Sequence, residues 1–175
     1  MNPLSRLSLG LVIVSLAAPV AATAEAPAAD SAVAWTDVRT LTVEGQGWSG
    51  KDLKAPFDRL PAKAEGVARP PVWGLSRDSA GIAVRFVTDS PEIQARWTLN
   101  KDRARLAMPH MAATGVSGLD LYARAANGQW RWAACGQPTD KTNTKTLTKG
   151  LEPVEREYML YLPLYNGVTS VELGV

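Results

Sequence analysis

The sequence predicts an all-β domain, an antiparallel β-sandwich of jelly-roll-like form with about eight or nine strands. Three observations carry that expectation. Apolar and polar residues alternate with period two, the alternation recurs in short runs, and turn-forming residues separate the runs. Successive side chains of a strand point to opposite faces, so period two marks a sheet with one face on the core.

The fold is expected to begin well inside the chain. Arg6 precedes an apolar run over residues 7–22, which ends in Ala22-Thr23-Ala24, the pattern of a secretory signal peptide over residues 1–24. Gly10 and Pro19 interrupt the run and make it a poor membrane span, and no cysteine follows it to carry a lipid. Residues 25–34 are Ala/Pro-rich and read as a linker. That leaves residues 35–175 as one domain of a periplasmic or secreted protein.

Within the domain, residues 38–43 and 72–76 read as the first strands. Ile82, Val84 and Phe86 then alternate with Ala83 and Arg85, and Ile93, Ala95, Trp97 and Leu99 with Gln94, Arg96 and Thr98. Thr88-Asp-Ser-Pro91 between the two runs predicts a hairpin. Leu119, Leu121 and Ala123 form the next strand. Asn127-Gly128 predicts a type I′ turn, because both residues accept positive φ, and residues 129–134 return from it. Residues 144–148, 158–162 and 168–175 complete the set, with Pro163 and Asn166-Gly167 in the last turn. Residues 45–69 and 101–115 lack periodicity, and loops that long are where function is to be sought.

Composition narrows the function. The chain has 19 Lys+Arg against 17 Asp+Glu, and the leader takes one Arg with it, so the remainder is close to neutral without a run of like charge. Neither nucleic acid nor, after signal cleavage, a membrane is an expected partner. Cys135 stands alone, which rules out an internal disulfide and reads as a buried thiol. One His and one Cys make no His/Cys metal set, so no cofactor or metal is assigned, although an all-oxygen calcium site stays open.

Residues 106–122 hold the only histidine, His110, together with Ser117 and Asp120, and invite a hydrolase triad. The context fails. A nucleophile elbow needs glycine two residues before and two after the serine on a strand-to-helix turn, whereas Leu119 follows Ser117 at that spacing and a strand comes next. On a continuous strand Ser117 and Asp120 would also leave from opposite faces. No catalytic residue is assigned. The loop reads instead as an apolar packing surface, with Met108, His110 and Met111, and Arg59 from the other long loop, as interface or substrate-cleft candidates.

Six tryptophans raise a carbohydrate-binding alternative, because an exposed indole stacks on a sugar ring. Parity puts Trp97 in the core and Trp130 with Trp132 on one face, with core the first reading for that pair. Trp48, within Gly45-Gln-Gly-Trp-Ser-Gly50, is the sugar-stacking candidate of a stand-alone carbohydrate-binding module.

Gly118-Leu-Asp-Leu-Tyr122 resembles the Gly-x-Asp-Leu-Tyr (GxDLY) motif of the N-terminal domain of one group of SGNH/GDSL-type esterases. Other blocks agree in order, among them Pro56-Phe-Asp-Arg-Leu-Pro61, Arg96-Trp-Thr-Leu99, Ala107-Met-Pro-His-Met111 and Tyr161-Leu-Pro-Leu-Tyr-Asn-Gly167. The resemblance implies a β-sandwich that precedes a separate α/β SGNH domain, which carries the serine nucleophile in a Gly-Asp-Ser-like block and a late Asp-x-x-His pair. Those blocks do not occur in this sequence. It further implies a non-catalytic accessory domain of an exported carbohydrate esterase, either a truncated or split gene product or a sandwich used alone, with an SGNH catalytic domain as partner and polysaccharide as a second one.

Overall fold

The computed structural model describes residues 33–102 and 106–175. The expected signal peptide and nearly all of the expected linker lie outside the described residues. Ala34 exchanges backbone hydrogen bonds with Val175, at 3.0 and 3.2 Å.

The described residues form nine strands in two antiparallel sheets. They are β1 (Trp35–Asp37), β2 (Thr42–Glu44), β3 (Ala83–Thr88), β4 (Glu92–Leu99), β5 (Leu119–Arg124), β6 (Trp130–Gly136), β7 (Thr142–Lys149), β8 (Arg156–Tyr161) and β9 (Val168–Gly174). One sheet has the order β1-β9-β4-β7 and the other β2-β3-β8-β5-β6. The expected all-β sandwich is the fold. Its core takes the inward residues of both sheets: Ile93, Ala95, Trp97, Leu99, Val171 and Leu173 from one, Val84, Phe86, Leu119, Leu121, Tyr158 and Leu160 from the other. Burying each of the larger side chains contributes about 1.5–3 kcal/mol.

Pairing departs from the sequence expectation where the sequence carries no signal for it. The turn between β3 and β4 is not a hairpin, because β3 pairs with β2 and β8 while β4 pairs with β7 and β9. Alternation fixes which face of a strand is buried but not which strand lies beside it, and a sandwich lets one turn pass from sheet to sheet. The β5–β6 hairpin does form, around Ala125 to Gln129. Its turn is not type I′: Gly128 has φ 80°, and no non-glycine residue among those described has positive φ. Gly128 N donates to Ala125 O and Ala125 N to Gln129 O, both at 2.8 Å, which makes a type I turn closed by a glycine bulge.

Two expected strands are replaced. Residues 72–76 belong to helix α1 (Pro70–Ser76), where the paired prolines occupy the first turn and lose no backbone hydrogen bond there. Residues 38–43 are broken by a single 3-10 turn, Val38–Thr40, whose entry is capped by the Asp37 carboxylate accepting from Arg39 N at 2.9 Å. That turn moves the chain from β1 in one sheet to β2 in the other.

Trp130 and Trp132 are not core residues. The register slips between Leu121↔Ala134 and Tyr122↔Trp132, which leaves Ala133 as an extra residue in β6. The bulge reverses parity, so Trp132 stands on the outer face and is 58% exposed, while Ala134 points inward. Cys135 is half-buried rather than enclosed.

Residues 45–69 contain no strand, yet they are pinned. Phe57 enters the core. Gln46 Nε2 donates to the carbonyls of Pro56 and Asp58, both at 3.0 Å. Asp58 is buried, accepts from Ala55 N at 2.9 Å and pairs with Arg77 at 2.8 Å.

Candidate functional site

Where β4 ends and β9 begins, one buried residue ties several segments together. Asn166 Nδ2 donates to Ser117 Oγ at 3.1 Å, and its Oδ1 accepts from Lys101 N at 2.9 Å. Its backbone carbonyl accepts from Ser79 N at 3.1 Å, and Ser79 Oγ accepts from Val168 N at 3.1 Å. The α1–β3 connection, the chain after β4, helix α2 (Ala113–Ser117) and the β8–β9 turn are thereby fixed on one another. Lys101 Nζ adds an ion pair to the buried Asp78 at 2.5 Å and a hydrogen bond to Tyr165 O at 3.0 Å.

This frame holds open a cleft of about 320 Å³ lined by Arg59, Leu75, Asp78, Ala80, Leu164 and Tyr165. Its rim is apolar, with Leu75 54% exposed and Leu164 and Tyr165 each 42% exposed. Arg59 is the sequence candidate that reaches it. Its guanidinium donates to Asp78 O at 2.9 Å and Leu75 O at 2.5 Å, which satisfies carbonyls at the end of α1. Leu75, Leu164 and Tyr165 were not legible as a group, because they come from a helix and a turn far apart in sequence.

Met108 and Met111 exchange backbone hydrogen bonds at 3.0 and 3.1 Å around Pro109-His110, which puts His110 at an exposed turn tip. The Met111 side chain lies against Gly115 of α2, and Val116 O of the same helix accepts from Tyr165 N at 3.0 Å. The methionine turn is therefore linked to the cleft through α2. No hydrogen bond or ion pair among the described residues joins it to Arg59. Trp48 lies apart, 41% exposed, at a pocket of about 460 Å³ lined also by Lys51, Asp52, Pro61, Ala62 and Lys63.

The triad is excluded by burial. Ser117 closes α2 rather than starting a strand, is fully buried, and has its hydroxyl held by Asn166 and its carbonyl by Trp97 Nε1 at 3.2 Å. Asp120, on the outer face of β5, accepts from Trp132 Nε1 at 3.3 Å. A nucleophile has to reach substrate, and Ser117 cannot. Among the described residues no group of three or more His, Cys, Asp or Glu side chains is placed to hold a metal ion.

The model of the GxDLY family, the N-terminus of SGNH hydrolase-type esterases, matches residues 33–175. The chain belongs to this family. It is similar to a crystal structure described as that of a GDSL-like lipase from Bacteroides ovatus ATCC 8483, with 30% identity and a TM-score of 0.74. The alignment covers 82% of this chain and 41% of that one, so the GxDLY chain spans less than half of that relative's length. No curated protein matches it.

The fold explains the family motif residue by residue. A Cβ on Gly118 would lie 2.4 Å from Thr114 O and 2.7 Å from Gly136 O, so only glycine lets α2 turn this closely onto β6. Leu119 and Leu121 are fully buried core residues. Asp120 holds the Trp132 indole, and Tyr122 meets Tyr161 edge-on with ring centroids 5.6 Å apart. The GxDLY motif is an architectural device: a close approach, two core residues, and two outward side chains that organise the outer face.

Proposed function

We propose that this GxDLY domain is the non-catalytic β-sandwich part of an exported SGNH-type ester hydrolase acting on esterified carbohydrate, with an SGNH catalytic domain as its partner. The observation that carries the reading is Ser117, sealed in the interior with its hydroxyl bound by Asn166, in a chain of the esterase family. The described sandwich has no accessible place for the acyl chemistry at that serine. The leader pattern of residues 1–24 supports export to the periplasm or beyond.

The rim of Leu75, Leu164 and Tyr165 is the docking surface that this reading favours, since exposed apolar side chains gathered at one cleft suit a protein partner. Met108, His110 and Met111 flank it through α2. The test is to purify the chain and assay hydrolysis of acetylated xylan alone and with a cognate SGNH domain, following complex formation by size-exclusion chromatography. The chain alone is expected to be inactive and to co-elute with the SGNH domain. Hydrolysis by the chain alone that disappears in Ser117→Ala would overturn the reading.

A further inference from the structure

The outer face of the five-stranded sheet carries side chains that neither the core nor the docking cleft uses. Trp132 is 58% and Tyr161 38% exposed. The bulge in β6 sets Trp132 opposite Tyr122, Tyr122 contacts Tyr161, and Tyr161 is paired across the strands with Asp120. Three rings from the neighbouring strands β8, β5 and β6 thus form one strip. Asp120 lies within it, one carboxylate oxygen fixed by the Trp132 indole at 3.3 Å and the other without a hydrogen bond among the described residues.

The charges beside the strip cancel one another. Arg85 bonds Glu44 at 2.8 and 3.1 Å and Glu157 at 2.7 Å, and Arg124 bonds Glu157 at 2.7 Å. Both guanidiniums also lie over the Trp130 ring, at 5.4 and 5.9 Å from its centroid. An anionic polymer meets no uncommitted cation in this network. A purely apolar partner would have to strip water from the Asp120 carboxylate, which is costly without a donor in return. A pyranose offers both complements, a C–H face for the rings and hydroxyl donors for the carboxylate.

We infer that this face binds a neutral polysaccharide laid along Trp132, Tyr122 and Tyr161, with a ring hydroxyl donating to Asp120. The inference names the polymer of the esterase reading and rests on that reading for its role, though not for the binding itself. Affinity electrophoresis of the chain in native gels containing a mixed-linkage β-glucan, a glucomannan or an arabinoxylan tests it, with polygalacturonate as the anionic comparison. At least one neutral polymer is expected to retard the chain. Trp132→Ala and Tyr161→Ala, each checked for folding by circular dichroism, should weaken that binding about tenfold, while Trp48→Ala leaves it unchanged.

No retardation in any neutral gel, retardation by polygalacturonate alone, or loss of binding only in Trp48→Ala overturns the inference. So does unchanged binding in both aromatic variants. Each of these outcomes leaves the esterase reading intact, because that reading fails through hydrolysis by the chain alone or absence of a complex with an SGNH domain.

Discussion

Asn166 donates from its side-chain amide to the Ser117 hydroxyl at 3.1 Å, between two fully buried residues 49 positions apart. This bond decides how the most chemical-looking segment is to be understood. A hydroxyl that accepts from a sealed amide is part of the scaffold, and the amide in turn holds the chain after β4 while the Asn166 backbone carbonyl holds the turn after α1.

Removing the amide should therefore cost more than removing the hydroxyl. Asn166→Ala removes the amide's bond to Ser117 Oγ and the acceptor of Lys101 N and is expected to destabilise the domain by about 3 kcal/mol. Ser117→Ala strands one amide donor and should cost about 1 kcal/mol. Urea unfolding of both variants measures the difference, and a Ser117 variant more damaged than the Asn166 variant contradicts the hub.

Gly118→Ala tests whether the family glycine is there for space. Gly118 has φ −88°, an ordinary value for any residue, yet an added Cβ would collide with backbone on both sides. The expected loss is about 3 kcal/mol, because backbone has to move to relieve the overlap. Gly128→Ala is the contrast: its φ of 80° is strained for alanine, but the added methyl group meets open space. About 1 kcal/mol is expected there. Equal losses in the two variants would remove the close-packing account.

What the sequence discloses follows the same division between local and non-local causes. The inward residues of β4 were readable because Ile93, Ala95, Trp97 and Leu99 repeat every second position, and all are buried to 1% exposure or less. The pairing of β4 was not readable, since β7 and β9 are chosen by how both sheets close over one core. The bulge at Ala133 has no signal in Trp132-Ala-Ala-Cys135, and it alone turns two tryptophans from the interior to the surface. Residues 72–76 read as a strand in the sequence, yet Pro70-Pro71 starts a helix there. At the cleft, Arg59 could be singled out as a charged residue in a long loop. Its companions Leu75 and Tyr165 acquire meaning only when Asn166 and Lys101 draw their segments together.

The outer-face ion network gives the fold an acid-sensitive component. Hydrogen bonds from Arg85 and Arg124 hold the Glu157 carboxyl below its ordinary value of 4.5, and Arg85 does the same for Glu44. A carboxylate whose value is lowered by folding contributes stability that is fully present above 4.5 and lost as pH falls through the lower folded value. Asp58 runs the other way: burial raises it, against the opposing pull of Arg77, so its penalty is relieved as pH falls. The urea midpoint is expected to drop as the solution is acidified below pH 4.5, with a shallower drop in Glu157→Gln. Parallel profiles for the two proteins would show that the network adds nothing.

Substitutions at the docking cleft and at the sheet face should have separable effects. Leu75 and Tyr165 are 54% and 42% exposed, so a charge at either position can be hydrated in the isolated domain and should change its stability by less than about 0.5 kcal/mol. In a complex the same charge would be buried against apolar surface without a partner, at a cost of several kcal/mol. Leu75→Asp and Tyr165→Asp are therefore expected to leave unfolding unchanged and to abolish co-elution with a cognate SGNH domain. Trp132→Ala should retain that co-elution, because its face is assigned to saccharide rather than to protein. The opposite pattern, with assembly lost in Trp132→Ala and kept in the cleft variants, would place the protein interface on the sheet and leave the cleft without its assigned partner.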